Sequence, residues 1–150
     1  MKDTIIKILV GELEYLTFTK FFDIIFIERV KKVNYYIYFD DVREDDTWFR
    51  QHLNTEHWVP CVVRNYDEII HVLNHMRDYM IENEVLILDL DHDLGETEEG
   101  YNELAHTGYD VCKWIVENNF PFCYFHIHSQ NVVGAQNMRQ LLTHYGYKEI

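Results

Sequence analysis

The chain is short of the motifs that usually announce an activity. It has no glycine-rich phosphate loop, no GxSxG elbow, no HExxH pair and no CxxC spacing. Those absences set aside nucleoside triphosphatases, α/β-hydrolases, zincins and zinc fingers as leading readings. The three cysteines, Cys61, Cys112 and Cys123, lie far apart, which suits reduced, buried thiols in a cytosolic protein. Positive charge is scarce: 13 Lys and Arg face 26 Asp and Glu, a formal net charge of −13. That argues against broad attraction to a nucleic-acid backbone or an anionic membrane, and leaves room for a small site that takes one phosphate or one RNA end. Nor is there a run of about 18 uncharged apolar residues, the length a membrane-spanning helix needs. Glu12, Glu14, Lys20, Asp23 and Glu28 interrupt the apolar N-terminal stretch, and no small-residue cleavage site follows an unbroken apolar core. The expected location is the cytoplasm, without membrane attachment.

What is present is a core. Apolar residues make up 47% and aromatics 15% of 150 residues, enough for one folded domain. Residues 1–33 read as an N-terminal extension, with an amphipathic helix from Leu13 to Val30 or extra β-structure as alternatives. From Asn34 the pattern is regular. Tyr35–Phe39 reads as a strand, and Glu44–His57 as a polar helix with Trp48, Phe49 and Leu53 on one side. Trp58–Val63 reads as a second strand, placed at an edge by Pro60. Asn65 or Asp67 can cap a helix carrying Ile69, Val72, Leu73, Met76 and Met80 at helical spacing. Val85–Leu90 reads as a buried third strand, Gly95–His106 as an acidic surface loop or lid, and Thr107 as the cap of a helix bearing Val111, Trp114 and Ile115. Phe122–Ile127 is the fourth strand and Gly134–Tyr145 the last helix, stopped by Gly146. Tyr147–Ile150 has room for a fifth strand. Trp48, Trp58 and Trp114 are expected in the core.

Strands alternating with helices predict an α/β fold, doubly wound around a mostly parallel sheet over residues 34–150. In such sheets ligands bind beyond the carboxyl ends of the strands, where the strand order reverses. The polar clusters follow that rule. Asp40-Asp41 come after the first strand, Asp91-His92-Asp93 after the third, and His128-Ser129-Gln130-Asn131 after the fourth. Crowded carboxylates repel unless a cation, a proton or a phosphoryl group sits among them. Asp40, Asp41 and Asp91 are therefore candidate ligands of Mg²⁺ or Mn²⁺, which favour hard oxygen donors. The alternative is solvated strand-end aspartates.

Asp89, Asp91 and Asp93 begin like a calcium loop, but the sixth position is Leu94 where glycine is needed and the twelfth is Gly100 where glutamate is needed. His126 and His128 share a strand face. Two such histidines can ligate a metal; the alternative, favoured for His126, is a packed histidine beside a strand-end one, and His128 and His92 are candidate proton donors or acceptors beside a phosphate. Ser129, Asn131 and the backbone N–H groups opening the last helix can contact phosphoryl oxygens, or simply cap that helix. Arg43, and less so Arg64, can recognise a phosphate or act as ion-pair partners.

With these clusters placed, the chain resembles a receiver domain, and more closely the cyclic-phosphate-processing branch of receiver-like domains. The resemblance covers about residues 34–150 and rests on four pieces: Asp40-Asp41-Val42-Arg43, Asp91-His92-Asp93-Leu94-Gly95, Thr107-Gly108-Tyr109-Asp110, and His128-Ser129-Gln130-Asn131 with Gly134-Ala135-Gln136-Asn137-Met138. It implies a flavodoxin-like three-layer sandwich in which Asp40-Asp41 match the family's acidic pair, Asp91 the phospho-accepting aspartate and Ser129 the hydroxyl residue after the fourth strand. It also implies processing of cyclic phosphates, at RNA ends or in cyclic nucleotides. Departures are visible too. Lys148 precedes rather than follows any final strand, and the loop after Asp91 is His92-Asp93-Leu94-Gly95 in place of the proline-containing one, which weighs against a phosphorelay role.

The expected function is metal-dependent phosphoester processing. Asp40, Asp41 and Asp91 hold the ion, His92 or His128 moves protons with Asp93 beside them, and Arg43, Ser129 and Asn131 steady the phosphate. The alternatives are a receiver-type signalling module phosphorylated at, or sensing phosphate near, Asp91, and a non-catalytic interaction protein. The oligomeric state is left open.

Overall fold

The computed structural model describes residues 34–41, 43, 51–53, 58–79, 85–94, 96–97, 100–101, 106–121 and 123–150. Apolar β-rich runs form β1 (Asn34–Phe39), β2 (Trp58–Val63), β3 (Leu86–Leu90) and β6 (Tyr124–Ile127), and a short β7 (Lys148–Glu149) follows the last helix. The helices are α1 (Tyr66–Tyr79), α2 (Gly108–Glu117) and α3 (Val132–His144). The five strands make one parallel sheet in the order β2-β1-β3-β6-β7. This is the doubly wound, flavodoxin-like order, with its reversal between β1 and β3. Pro60, which has no N–H to donate, sits on edge strand β2 as expected.

Side-chain alternation divides the sheet into two faces. Tyr35, Ile37 and Phe39 of β1, Leu86, Leu88 and Leu90 of β3, and Phe125 and Ile127 of β6 join the main core. Ile69, Val72, Leu73 and Met76 of α1, Val111, Cys112 and Ile115 of α2, and Ala135, Met138 and Leu142 of α3 cover it, with Trp114 packed at its margin. Tyr36, Tyr38 and Ile87 point the other way into a second cluster with Leu53, Trp58 and Tyr124. All three cysteines are free and buried, and burial pushes the thiols of Cys61 and Cys123 up to about 12, so they stay protonated and inert.

Local signals set the helix ends. The Asn65 side chain accepts from the Glu68 N–H at 3.0 Å and caps α1. The Asp110 carboxylate accepts from the Thr107 N–H at 2.8 Å, opening α2. At the end of α3 the Tyr147 N–H donates to the Leu142 carbonyl and the Gly146 N–H to that of Thr143. With Gly146 at φ +91°, this is a Schellman closure. The end of α2 repeats it with Asn119 at φ 48°.

Two expectations need adjustment. Lys148 lies within β7 and does not precede it. The stretch read as a loop contains a hairpin, β4 (Glu96–Thr97) paired antiparallel with β5 (Gly100–Tyr101); strands of two residues are too short to show an alternating pattern. The N-terminal extension, Trp48, Phe49, Met80 and most of the Glu44–His57 helix lie outside the described residues.

Two glycines matter for different reasons. A Cβ on Gly108 would lie 1.9 Å from the Asp91 carbonyl oxygen, whereas one on Gly146 would meet nothing within 4 Å. Gly108→Ala should therefore cost about 3 kcal/mol or more, because backbone must shift, and Gly146→Ala only about 1 kcal/mol of left-handed strain. Urea denaturation midpoints compare the two; equal midpoints would contradict the close approach of α2 to the end of β3.

Candidate functional site

The sheet's ladder continues one step past its strands. The Asp40 N–H donates to the Val63 carbonyl (3.3 Å), the Asp91 N–H to Phe39 (2.9 Å) and the His128 N–H to Leu90 (3.2 Å). Asp40, Asp91 and His128 are thereby set side by side at the carboxyl ends of β1, β3 and β6, on the side of the strand-order reversal. Asp40 and Asp91 are both buried, at 0% and 4% exposure.

Arg43 lies against this pair. Its Nε is 2.8 Å from Asp40 Oδ2 and its Nη2 2.5 Å from Asp91 Oδ2, and its backbone N–H donates to Asp40 Oδ1 at 2.5 Å. Burial alone would lower the Arg43 pKa; the charges of Asp40 and Asp91 outweigh it and raise the value. Arg64 supports the turn from behind, its Nη1 donating to the carbonyls of Asp40 (2.9 Å) and Arg43 (2.7 Å). Arg64 thus holds backbone within the protein.

A second group lies one step back along the strands. Asp89, 1% exposed, pairs in register with His126 across β3 and β6. Its Oδ1 lies 2.9 Å from His126 Nδ1 and 2.5 Å from His128 Nδ1, and its Oδ2 accepts from the Tyr36 hydroxyl. The other nitrogen of His128, Nε2, is 3.2 Å from Asp40 Oδ2, and its ring stacks on Tyr38 at 4.7 Å and 8°. Burial pushes the Asp89 carboxyl up, but hydrogen bonds from His126 and His128 outweigh it and hold the pKa at about 2. Burial likewise lowers His128, and the Asp89 hydrogen bond and charge overcome it, raising its pKa.

The loop after β3 and the start of α3 form the third group. His92 Nδ1 lies 2.7 Å from Asp93 Oδ1, and the His92 N–H donates to Asp91 Oδ1 at 2.7 Å. Burial raises the Asp93 pKa, and hydrogen bonds from His92 and Asn131 bring it below the usual carboxylate range. The Asn131 amide donates to Asp93 Oδ1 at 3.0 Å, while its oxygen accepts from the Gly134 N–H at 2.9 Å. The His92 ring packs on Gly134, where a Cβ would come within 2.4 Å of it. Ser129 Oγ accepts from the Asn131 N–H at 3.2 Å.

Of the residues singled out from sequence, Asp40, Asp91, Arg43 and His128 meet directly, and His92, Asp93 and Asn131 adjoin Asp91. Asn131 caps α3 through its side-chain oxygen, and Ser129 Oγ braces the Asn131 backbone. Asp41 is half-buried and, among the described residues, belongs to neither group of ligand atoms that converge: Asp40, Asp91 and His128 form one, Asp89, His126 and His128 the other, with donors within 4.8 Å of one another in each. The first set could hold a metal ion, since Arg43, which spans the two carboxylates, has a side chain 39% exposed and can turn aside. Sequence reasoning passed over Tyr36 and Tyr38, and favoured packing over metal ligation for His126. The strand period of two held the missed signal, since Tyr36, Tyr38 and Asp40 share a parity.

The family model described as the cyclic-phosphate processing receiver domain matches residues 35–144. The chain belongs to that family. No curated protein and no solved structure matches it. In this receiver domain Asp40-Asp41 follow β1, Asp91 follows β3, and His128-Ser129 follow β6.

The paired groups make stability depend on pH from both sides. Asp89 is lowered from 3.8 to about 2, so its contribution, about 2 kcal/mol, is present above the ordinary value and lost as pH falls through the folded one. His128 is raised above 6.5, so its share is present below that pH and lost as pH rises through its folded value. Urea midpoints from pH 2 to 9 should therefore peak between these limits in wild type. The acid limb should flatten in Asp89→Asn; an unchanged limb there would remove Asp89 as its source.

Proposed function

We propose that this receiver domain opens cyclic phosphates, at RNA ends or in small cyclic nucleotides, in a reaction that needs Mg²⁺ or Mn²⁺. The observation that carries this reading is the pair of buried carboxylates, Asp40 and Asp91, at the strand-order reversal with a His–Asp pair, His92 and Asp93, adjoining Asp91. Asp40 and Asp91 would hold the ion, with Asp41 as a further acidic neighbour. The ion supplies polarisation of a phosphoryl oxygen and activation of water.

The protein's own groups do the rest. Asp93 fixes His92 through Nδ1, which leaves Nε2 as the nitrogen that transfers protons. In ring opening, a water oxygen bonds to phosphorus, one ring P–O bond breaks, and the proton lost by water is returned to the departing ester oxygen. His128, clamped between Asp89 and Asp40, keeps Asp40 oriented. Arg43, which spans Asp40 and Asp91 here, would be free to meet a non-bridging phosphate oxygen if those carboxylates held the ion. Ser129 and the N–H groups opening α3 line the same strand ends.

The test is ³¹P NMR on the full chain, stripped of metal and then supplied with Mg²⁺ or Mn²⁺ and 2′,3′- or 3′,5′-cyclic nucleotides. Wild type should convert at least one class to a monoester. Asp91→Asn should abolish the metal-dependent part, and His92→Ala should slow it on the order of 100-fold or more. If wild type leaves every cyclic phosphate intact, the reading fails. A phosphoryl adduct on Asp91 after acetyl phosphate treatment, seen by intact mass, would favour the signalling alternative, although Arg43 and the His92 N–H already engage both Asp91 oxygens.

A further inference from the structure

Asp89 and His126 take no part in the Asp40–Asp91 group, and with His128, whose Nδ1 turns away from Asp40, they form a different kind of site. We propose that they bind a borderline transition-metal ion of the zinc class, separate from any Mg²⁺ or Mn²⁺ at the strand ends. The three side chains come from two adjacent strands of a parallel ladder. Asp89 stands opposite His126 in register, and His128 is the next residue on that face, so backbone pairing alone fixes their spacing.

The donor atoms converge. Asp89 Oδ1 faces both Nδ1 atoms, at 2.9 Å and 2.5 Å, and all three ligand atoms lie within 4.8 Å of one another. Two imidazole nitrogens and one carboxylate oxygen are the donor mixture that zinc and its neighbours accept and Mg²⁺ does not favour. Three protein ligands leave a fourth position open, and the partial exposure of both histidines gives an ion a way in.

The surroundings are those of metal ligands. A ligating histidine characteristically offers its other ring N–H to a carboxylate, which fixes the tautomer, and a ligating carboxylate is itself hydrogen-bonded. His128 has Nε2 3.2 Å from Asp40 Oδ2, opposite the nitrogen turned to Asp89. Asp89 has Oδ2 taken by the Tyr36 hydroxyl, leaving Oδ1 for the shared position. Both outer partners, Asp40 and Tyr36, are fully buried. A cation here would also compensate a buried anion, whose isolated charge is costly.

This site stands or falls apart from the phosphoester reading, and one set of variants separates them. The metal-stripped full chain is titrated calorimetrically with Zn²⁺ and, separately, with Mn²⁺; a Co²⁺ absorption spectrum gives an independent report of coordination. Wild type should take one Zn²⁺ per chain. His126→Ala, at a partly exposed position that folding should tolerate, should weaken Zn²⁺ by about 100-fold or more and abolish the Co²⁺ bands while leaving Mn²⁺ binding in place. Tyr36→Phe, which removes only an outer partner, should weaken Zn²⁺ about 10-fold. Asp91→Asn should do the reverse of His126→Ala, removing Mn²⁺ and sparing Zn²⁺. Zn²⁺ affinity unchanged in His126→Ala, or no Zn²⁺ uptake by wild type, overturns the proposal whatever the outcome with cyclic phosphates.

Discussion

Two carboxylates buried side by side set the terms for everything around them. Asp40 and Asp91 are held next to each other by the extension of the β-ladder, and neither can move away without breaking it. Their mutual repulsion must be met locally. Arg43 meets it with three contacts to the pair, and His128 contributes a fourth through Nε2. Arg64 is then spent on pinning the turn that delivers Arg43. Removing the pair would leave three cations or polar groups without purpose, which is why so many side chains at this end of the sheet are committed to it.

The second face of the three central strands grades from apolar to ionised along their length. Tyr36, Ile87 and Tyr124 pair in one row, Tyr38, Asp89 and His126 in the next, and Asp40, Asp91 and His128 complete the series beyond the last strand residues. The opposite face of the same strands stays apolar and packs under α1, α2 and α3. One face therefore packs the main core, and the other carries the ionisable groups beside a smaller apolar cluster. Close approach sharpens the arrangement. Gly108 lets α2 start against the Asp91 carbonyl, and Gly134 lets α3 start against the His92 ring, so two helix starts press on the loop that follows β3.

Much of this was legible beforehand. Asp40, Asp91 and His128 follow separate apolar runs, and the rule that sites form beyond parallel strand ends is enough to bring them together. The edge position of Pro60 and the caps at Asn65 and Thr107 were equally readable. Asp89 was not, because it sits inside an apolar run where its partner depends on which residue of another strand comes opposite. His126 read as a packing residue for the same reason. Asn131 and Ser129 were candidates for phosphate contact, and their nearest groups are Gly134, Asp93 and each other.

The dividing line is range. Helix caps, the glycine stop at Gly146 and the alternation of each strand depend on residues within a few positions, so they can be read along the chain. Contacts such as Asp89 with His126 and His128 join residues 37 and 39 positions apart. Strand register is chosen collectively, by packing both faces at once, and a slip of one residue would turn every side chain over. The linear order was enough to place acidic and basic groups at one end of a parallel sheet. Folding alone selected which oxygen faces which nitrogen.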